Sequence, residues 1–177
     1  MEEKRLWKIL FGIALALAII IIIVYPPEVA FASELTDPAT PCGLTAEDYD
    51  ELLEGKGLQG IGEALEVGEK ITGINGLFVA SICALESGWG TSHAATELNN
   101  IGGIQYQGEN VTFKSWDECI YTMFDFLDRM YIREGLNTID EIGPVYCQSP
   151  ESTWAEDVTS IMRGFTDEQD VPAERVG

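Results

Sequence analysis

One stretch of this chain leaves little freedom in how the rest can fold. Residues 77–85 read Leu-Phe-Val-Ala-Ser-Ile-Cys-Ala-Leu. A helix made of them has almost no polar face and must be covered on every side. Asn75 stands where an N-cap belongs, and Gly88 and Gly90 break the pattern, so the helix is predicted to run to about Ser87. Glu86 then falls on its last turn, beside Trp89. An ionised carboxylate is disfavoured there, because the helix end carries partial negative charge and apolar neighbours solvate it poorly.

The flanking segments predict the helices that must do the covering. Thr45 with Asp48 resembles a helix start, with Leu52 and Leu53 facing inward until Gly55. Residues 58–71 offer Ile61, Leu65 and Ile71 as apolar positions, with several glycines weakening the pattern. Residues 101–113 alternate in short pieces around Gln107-Gly108-Glu109-Asn110, enough for one small hairpin. Ser115 with Glu118 forms a capping box ahead of Ile120, Met123, Phe124, Leu127 and Met130 or Tyr131. Thr138 with Glu141 repeats the device on a shorter segment. Ser152 is placed to cap a last helix carrying Trp154, Val158, Ile161 and Met162, which Gly164 is expected to stop. The fold class is therefore mainly α with one small hairpin, spanning residues 43–166 ahead of an acidic tail at 167–177.

The chain opens with a basic flank, residues 1–8, carrying Lys4, Arg5 and Lys8. Residues 9–25 form an uncharged apolar run closed by Pro26-Pro27. That length just spans a hydrocarbon core, and the basic flank sets a cytoplasmic N-terminus with the remainder outside. The expectation is a single-pass cell-membrane anchor; the alternative is a signal peptide cleaved near Ala32 and a secreted domain. Residues 26–42, with four prolines, read as an extended linker. Thirty acidic residues against ten basic ones give a formal net charge of -20, which argues against nucleic acid or an anionic membrane surface as a partner. A neutral sugar polymer stays compatible.

Cys42, Cys83, Cys119 and Cys147 all follow the apolar run. In an exported domain an even count permits up to two disulfides in any of about three full pairings, while Cys83 equally suits a buried small hydrophobe. No Cys/His spacing suggests zinc, His93 reads as a surface residue, and no metal or cofactor is expected.

A carboxyl group that ends an apolar helix beside a tryptophan and cleft-opening glycines has the environment of a glycosidase acid, since desolvation lets it keep a proton near neutral pH. The motifs go further. Gly57-Leu58-Gln59-Gly60-Ile61-Gly62-Glu63-Ala64, Ile74-Asn75-Gly76-Leu77-Phe78-Val79-Ala80, Ala84-Leu85-Glu86-Ser87-Gly88-Trp89-Gly90-Thr91-Ser92 and Asn99-Asn100-Ile101-Gly102-Gly103-Ile104 appear in order. Together with Trp154-Ala155-Glu156-Asp157-Val158, they resemble the glucosaminidase-type peptidoglycan hydrolases of glycoside hydrolase family 73. The Asn-Asn segment is similar to the family's Asn-Asn-Leu-Phe-Gly-Ile.

The resemblance implies an α+β lysozyme-like, two-lobed fold with a cleft, and glycan strands of peptidoglycan as substrate. Glu86 would protonate the oxygen of the β-1,4 bond between N-acetylglucosamine and N-acetylmuramic acid. Glu109 is the hairpin's only carboxylate and the first candidate for a second catalytic group, with Glu97 behind it. Tyr146 is a further catalytic candidate. Trp89, Asn99, Asn100 and Tyr106 are candidates for binding sugar. Without a second carboxylate, the substrate's 2-acetamido oxygen attacks the anomeric carbon, and attack by the muramyl 6-hydroxyl makes a lytic transglycosylase instead. A muramidase and a non-catalytic wall-binding domain remain as alternatives. A membrane tether would confine cutting to the wall near a larger envelope-spanning assembly.

Overall fold

The computed structural model describes residues 37–149 and 151–167. The apolar run at 9–25 and the acidic tail beyond 167 lie outside them. Among the described residues no helix is long and apolar enough to cross a membrane. The elements are α1 (Ala46–Leu52), α2 (Gly62–Thr72), α3 (Gly76–Ser87), α4 (His93–Leu98), β1 (Gln105–Tyr106), β2 (Glu109–Asn110), α5 (Trp116–Met130), a 3-10 turn (Ile132–Glu134), α6 (Ile139–Tyr146) and α7 (Trp154–Asp167). The fold is mainly helical with one two-stranded antiparallel sheet, Gln105 opposite Asn110 and Tyr106 opposite Glu109.

The apolar helix α3 is the axis of the domain. Phe78, Val79, Ile82 and Cys83 are fully buried, as a helix without a polar face requires. Asn75 caps it, its Oδ1 accepting from the Leu77 and Phe78 amides. Helices α2, α5 and α7 pack around α3, and α1 closes over α2. The α2–α5 crossing is close enough that a Cβ on Gly68 would stand 2.2 Å from Phe124 Cδ2. Only glycine lets these two helices meet there. Capping boxes form at Thr138, as predicted, and at the Thr45 helix start; at Ser115 only the serine half of the predicted box forms, the Glu118 carboxylate taking the Lys114 amide instead at 2.7 Å.

Three sequence expectations are corrected. Ile71 is 76% exposed, because α2 turns it away from the face carrying Ala64, Leu65 and Gly68. Gly164 does not stop α7, which continues to Asp167, since a glycine in a helix costs only about 1 kcal/mol against alanine. The four cysteines, for which the count left disulfides open, are free thiols, and Cys42, Cys83 and Cys119 are buried. The end of the presumed linker is also packed against the domain, where the Asn75 amide donates to Pro38 O at 3.0 Å.

The reason for that packing is Glu69, a carboxylate only 4% exposed. Its Oε1 accepts from the Gly43 amide at 2.8 Å. Its Oε2 accepts from the Gly76 amide at 2.6 Å, the Cys42 amide at 3.2 Å, Cys42 Sγ at 3.1 Å and the Tyr49 hydroxyl at 3.1 Å. A carboxyl group so deeply placed is stabilised by hydrogen bonds to both of its oxygens. They come from the entering chain, from α1 and from the first residue of α3, so one side chain joins three segments.

Candidate active site

The C-terminal turn of α3 fixes Glu86. Gly88 adopts a left-handed cap whose amide reaches back to Ala84 and Leu85, and the Trp89 amide bonds to Ala84 O at 2.8 Å. Ser87, buried beneath, takes the Gly90 amide on its Oγ at 2.7 Å. The turn therefore closes on itself and leaves Glu86 half-buried at the edge of a cleft of about 200 Å³, lined also by Gly103, Gln105, Met123, Phe126, Tyr131 and Tyr146. Among the described residues lining this cleft, Glu86 is the only carboxylate.

Two contacts hold the carboxyl group. The indole Nε1 of Trp154 donates to Oε1 at 3.2 Å, and Oε2 faces Gly103 so closely that a Cβ there would lie 2.7 Å from it. Burial pushes the pKa of Glu86 above the usual carboxylate range, and the Trp154 hydrogen bond pulls part of the way back. Tyr146 stacks on Trp154, ring centroids 4.4 Å apart, and Tyr131 leans on Tyr146 at 6.1 Å. Burial raises the pKa of both phenols, and the Glu86 charge adds to the rise at Tyr146. Both hydroxyls therefore stay protonated at neutral pH and can act as neutral donors rather than bases.

The loop opposite Glu86 owes its shape to Asn100. This side chain, 1% exposed, donates to Ile104 O at 2.7 Å and Val111 O at 3.0 Å and accepts from the Ile104 amide at 3.0 Å. Its hydrogen-bonding capacity is spent on backbone, so it builds the wall of the cleft and has nothing left for sugar. Gly102 leaves the space that Met123 fills: a Cβ would meet Met123 Sδ at 2.6 Å.

A half-buried acid held in a cleft of aromatic and glycine walls can hold a proton and deliver it to a bound ligand. The model of the glucosaminidase family, described as mannosyl-glycoprotein endo-beta-N-acetylglucosaminidase, matches residues 62–167. The chain belongs to that family. It is thus a glycoside hydrolase, and the glucosaminidase match spans everything from α2 to the end of α7.

Solved structures share the fold of this glucosaminidase domain. S. aureus autolysin E is similar with a TM-score of 0.63 and 16% identity, over 77% of this chain and 72% of that one. A catalytic mutant of that autolysin in complex with the disaccharide NAG-NAM gives 0.60 and 15%, over 76% and 72%. A major bifunctional autolysin gives 0.59 and 22%, over 77% and 69%. No curated protein matches the chain.

Within the glucosaminidase domain, Glu86 and Tyr146 are brought together in the cleft. The other candidates lie elsewhere. The half-buried Trp89 ring packs edge-on against Phe165 at 5.9 Å, at the α3–α7 junction and outside the cleft lining. Asn99 takes the left-handed cap of α4 and donates to Phe113 O at 3.0 Å. Tyr106, 71% exposed, and Glu109 sit opposite each other on the hairpin, outside the cleft lining. Glu97 and His93 are exposed on α4. Trp154, read from the sequence as a core residue of the last helix, is the one that touches the acid. No local signal could have found it, since 68 positions separate the two residues.

Two expectations follow for this domain. The kcat/KM for glycan cleavage falls as pH rises through the Glu86 pKa, and that limb lies above the ordinary carboxylate range; a pH–rate profile locates it. The same raised pKa means that protonated Glu86 suits the fold, a contribution present at low pH and lost as pH rises through the folded-state value. Gly103→Ala places a methyl against Oε2 at a residue whose φ is +64°. It is expected to cost about 1–2 kcal/mol in stability and to lower kcat by roughly tenfold or more through displacement of the acid. Thermal unfolding and steady-state rates check both.

Proposed function

We propose that this domain is a peptidoglycan endo-β-N-acetylglucosaminidase in which Glu86 protonates the leaving glycosidic oxygen. The observation that carries the reading is the half-buried Glu86 carboxyl, held by Trp154 at 3.2 Å in a cleft where, among the described residues, no other carboxylate lines the wall. The relatives with this fold include an autolysin in complex with the NAG-NAM disaccharide and in complex with the muropeptide NAM-L-ALA-D-iGLU, which supports the β-1,4 glycan of the wall as substrate.

The oxocarbenium-like transition state needs a partner for its positive charge. With one carboxylate in the lining, that partner comes from the substrate: the 2-acetamido oxygen closes on the anomeric carbon as Glu86 gives up its proton. Tyr146, its hydroxyl protonated and close to Glu86, is placed to orient that acetamido group or the incoming water. Glu109 serves only if the hairpin swings its tip toward the cleft. The same single-carboxylate lining favours one second reading, a lytic transglycosylase using the muramyl 6-hydroxyl as nucleophile. Residues 9–25 with the basic residues before them support a tether to the cytoplasmic membrane with the enzyme outside, working beside a larger envelope assembly.

Digestion of purified peptidoglycan followed by mass spectrometry tests the reading. Reducing-end N-acetylglucosamine is expected. Reducing-end N-acetylmuramic acid makes the enzyme a muramidase, a 1,6-anhydro product makes it a transglycosylase, and no product with either glycan end leaves a wall-binding domain. Recovery of the full-length chain in the membrane fraction supports the tether, whereas a soluble product starting at Ser33 replaces it with a cleaved signal.

A further inference from the structure

We propose that Trp154 is a positioning residue that assigns the transferable proton of Glu86 to a single oxygen, Oε2, by holding Oε1 as an acceptor. The inference rests on Glu86 being the general acid and goes beyond it, to which of its two oxygens does the work.

A protonated carboxyl group has one O–H donor and one carbonyl acceptor, and an indole N–H can only donate. With Trp154 Nε1 at 3.2 Å from Oε1, the indole N–H favours the tautomer in which Oε1 is the carbonyl oxygen, a stronger acceptor than a hydroxyl oxygen. The proton therefore resides on Oε2, the oxygen that faces Gly103 across the cleft. Trp154 cannot turn its N–H elsewhere. It is 6% exposed, its ring is stacked on Tyr146 at 4.4 Å, and Phe78 meets it edge-on at 6.4 Å. A buried indole N–H needs an acceptor, and Oε1 supplies it. The absence of a side chain at Gly103 is what leaves Oε2 room to reach a ligand.

Among the described residues no charged neighbour competes with this control. Cys83, one turn earlier on α3, and Tyr146 on α6 face Glu86, and burial keeps both uncharged at neutral pH. Tyr131 also lines the cleft and is neutral for the same reason. The loop opposite offers Gly102, Gly103, Ile104 and Gln105, none of which titrates. The hydrogen bond is stronger to the carboxylate than to the acid, so it also eases departure of the proton.

The test uses the full chain with Trp154→Phe, which keeps an aromatic ring against Tyr146 and Phe78 but has no N–H. Benzothienylalanine inserted at position 154, the same shape as tryptophan with sulfur in place of N–H, serves if the phenylalanine variant does not fold. The expected result is a kcat lower by about ten- to a hundredfold with KM little changed. The alkaline limb of the pH–rate profile should move to higher pH, and the Glu86 carboxyl carbon, followed by 13C NMR, should titrate at higher pH in the variant. A purely structural role for Trp154 lowers the melting temperature without moving that titration. An unmoved Glu86 titration in a folded variant overturns the proposal. Should the wild-type protein fail to cut peptidoglycan, the hydrolase reading falls, and the carboxyl titration still decides whether Trp154 controls Glu86.

Discussion

Glu86→Gln is expected to lower kcat on peptidoglycan by about a thousandfold while leaving a folded protein. Glutamine is the same shape, and its amide oxygen can still accept the Trp154 N–H that Oε1 now accepts at 3.2 Å, so the aromatic stack above it is undisturbed. What it lacks is the proton. The stability comparison should depend on pH in a definite direction. Burial raises the Glu86 pKa, so above that value the wild-type fold carries an ionised carboxylate it would rather not hold. The glutamine variant never meets that cost. Its melting temperature should match the wild type in acid and equal or exceed it in alkali. Activity within about tenfold of wild type would sink the assignment of Glu86 as the acid, since general acid catalysis is worth at least two powers of ten.

Glu69→Ala is expected to be the most destabilising single substitution in the domain outside the apolar core. It strips the acceptor from the amides of Cys42, Gly43 and Gly76 and from the Tyr49 hydroxyl. Each buried donor left unmade costs about 1–3 kcal/mol, so a total on the order of 4 kcal/mol is expected after some relaxation. The melting temperature should drop by about 10 °C or more. Denaturant unfolding of both proteins measures the loss directly, and a difference below about 1 kcal/mol would mean that water replaces the carboxylate at little cost.

These two glutamates mark the border of what the sequence makes legible. Glu86 could be read because everything that makes it unusual is local: an apolar helix before it and breaking glycines after it. Glu69 could not, because its surroundings are assembled from Cys42, Tyr49 and Gly76, which approach it only in the fold. The helices were legible where a cap coincides with a period, as in α5, or with an unbroken apolar run, as in α3. They were misjudged where a single residue carried the inference, as at Ile71, whose apolar side chain faces out, and at Gly164, which the helix passes through. The candidate sugar contacts divide in the same way. Asn99 and Asn100 were found by motif, yet the Asn100 amide is taken up by backbone partners and Asn99 donates to Phe113 O. A motif records that a residue type is needed without saying whether ligand or loop needs it. Trp154 is the converse, a residue with an ordinary place in an amphipathic helix and a contact across 68 positions to the acid.

The Glu69 junction also has a mechanical reading. A pull on the chain from its N-terminal side arrives at Asp37–Gly43, where the Asn75 amide and side chain grip Pro38 O and Asp37 O, and Glu69 grips the Cys42 and Gly43 amides. These bonds share the load and connect it to the C-terminal end of α2 and to the start of α3. Tension along a leash would therefore be passed to the most deeply buried helix as a rigid displacement rather than spent unravelling the entry segment, and the cleft at the far end of that helix would be carried along without changing shape.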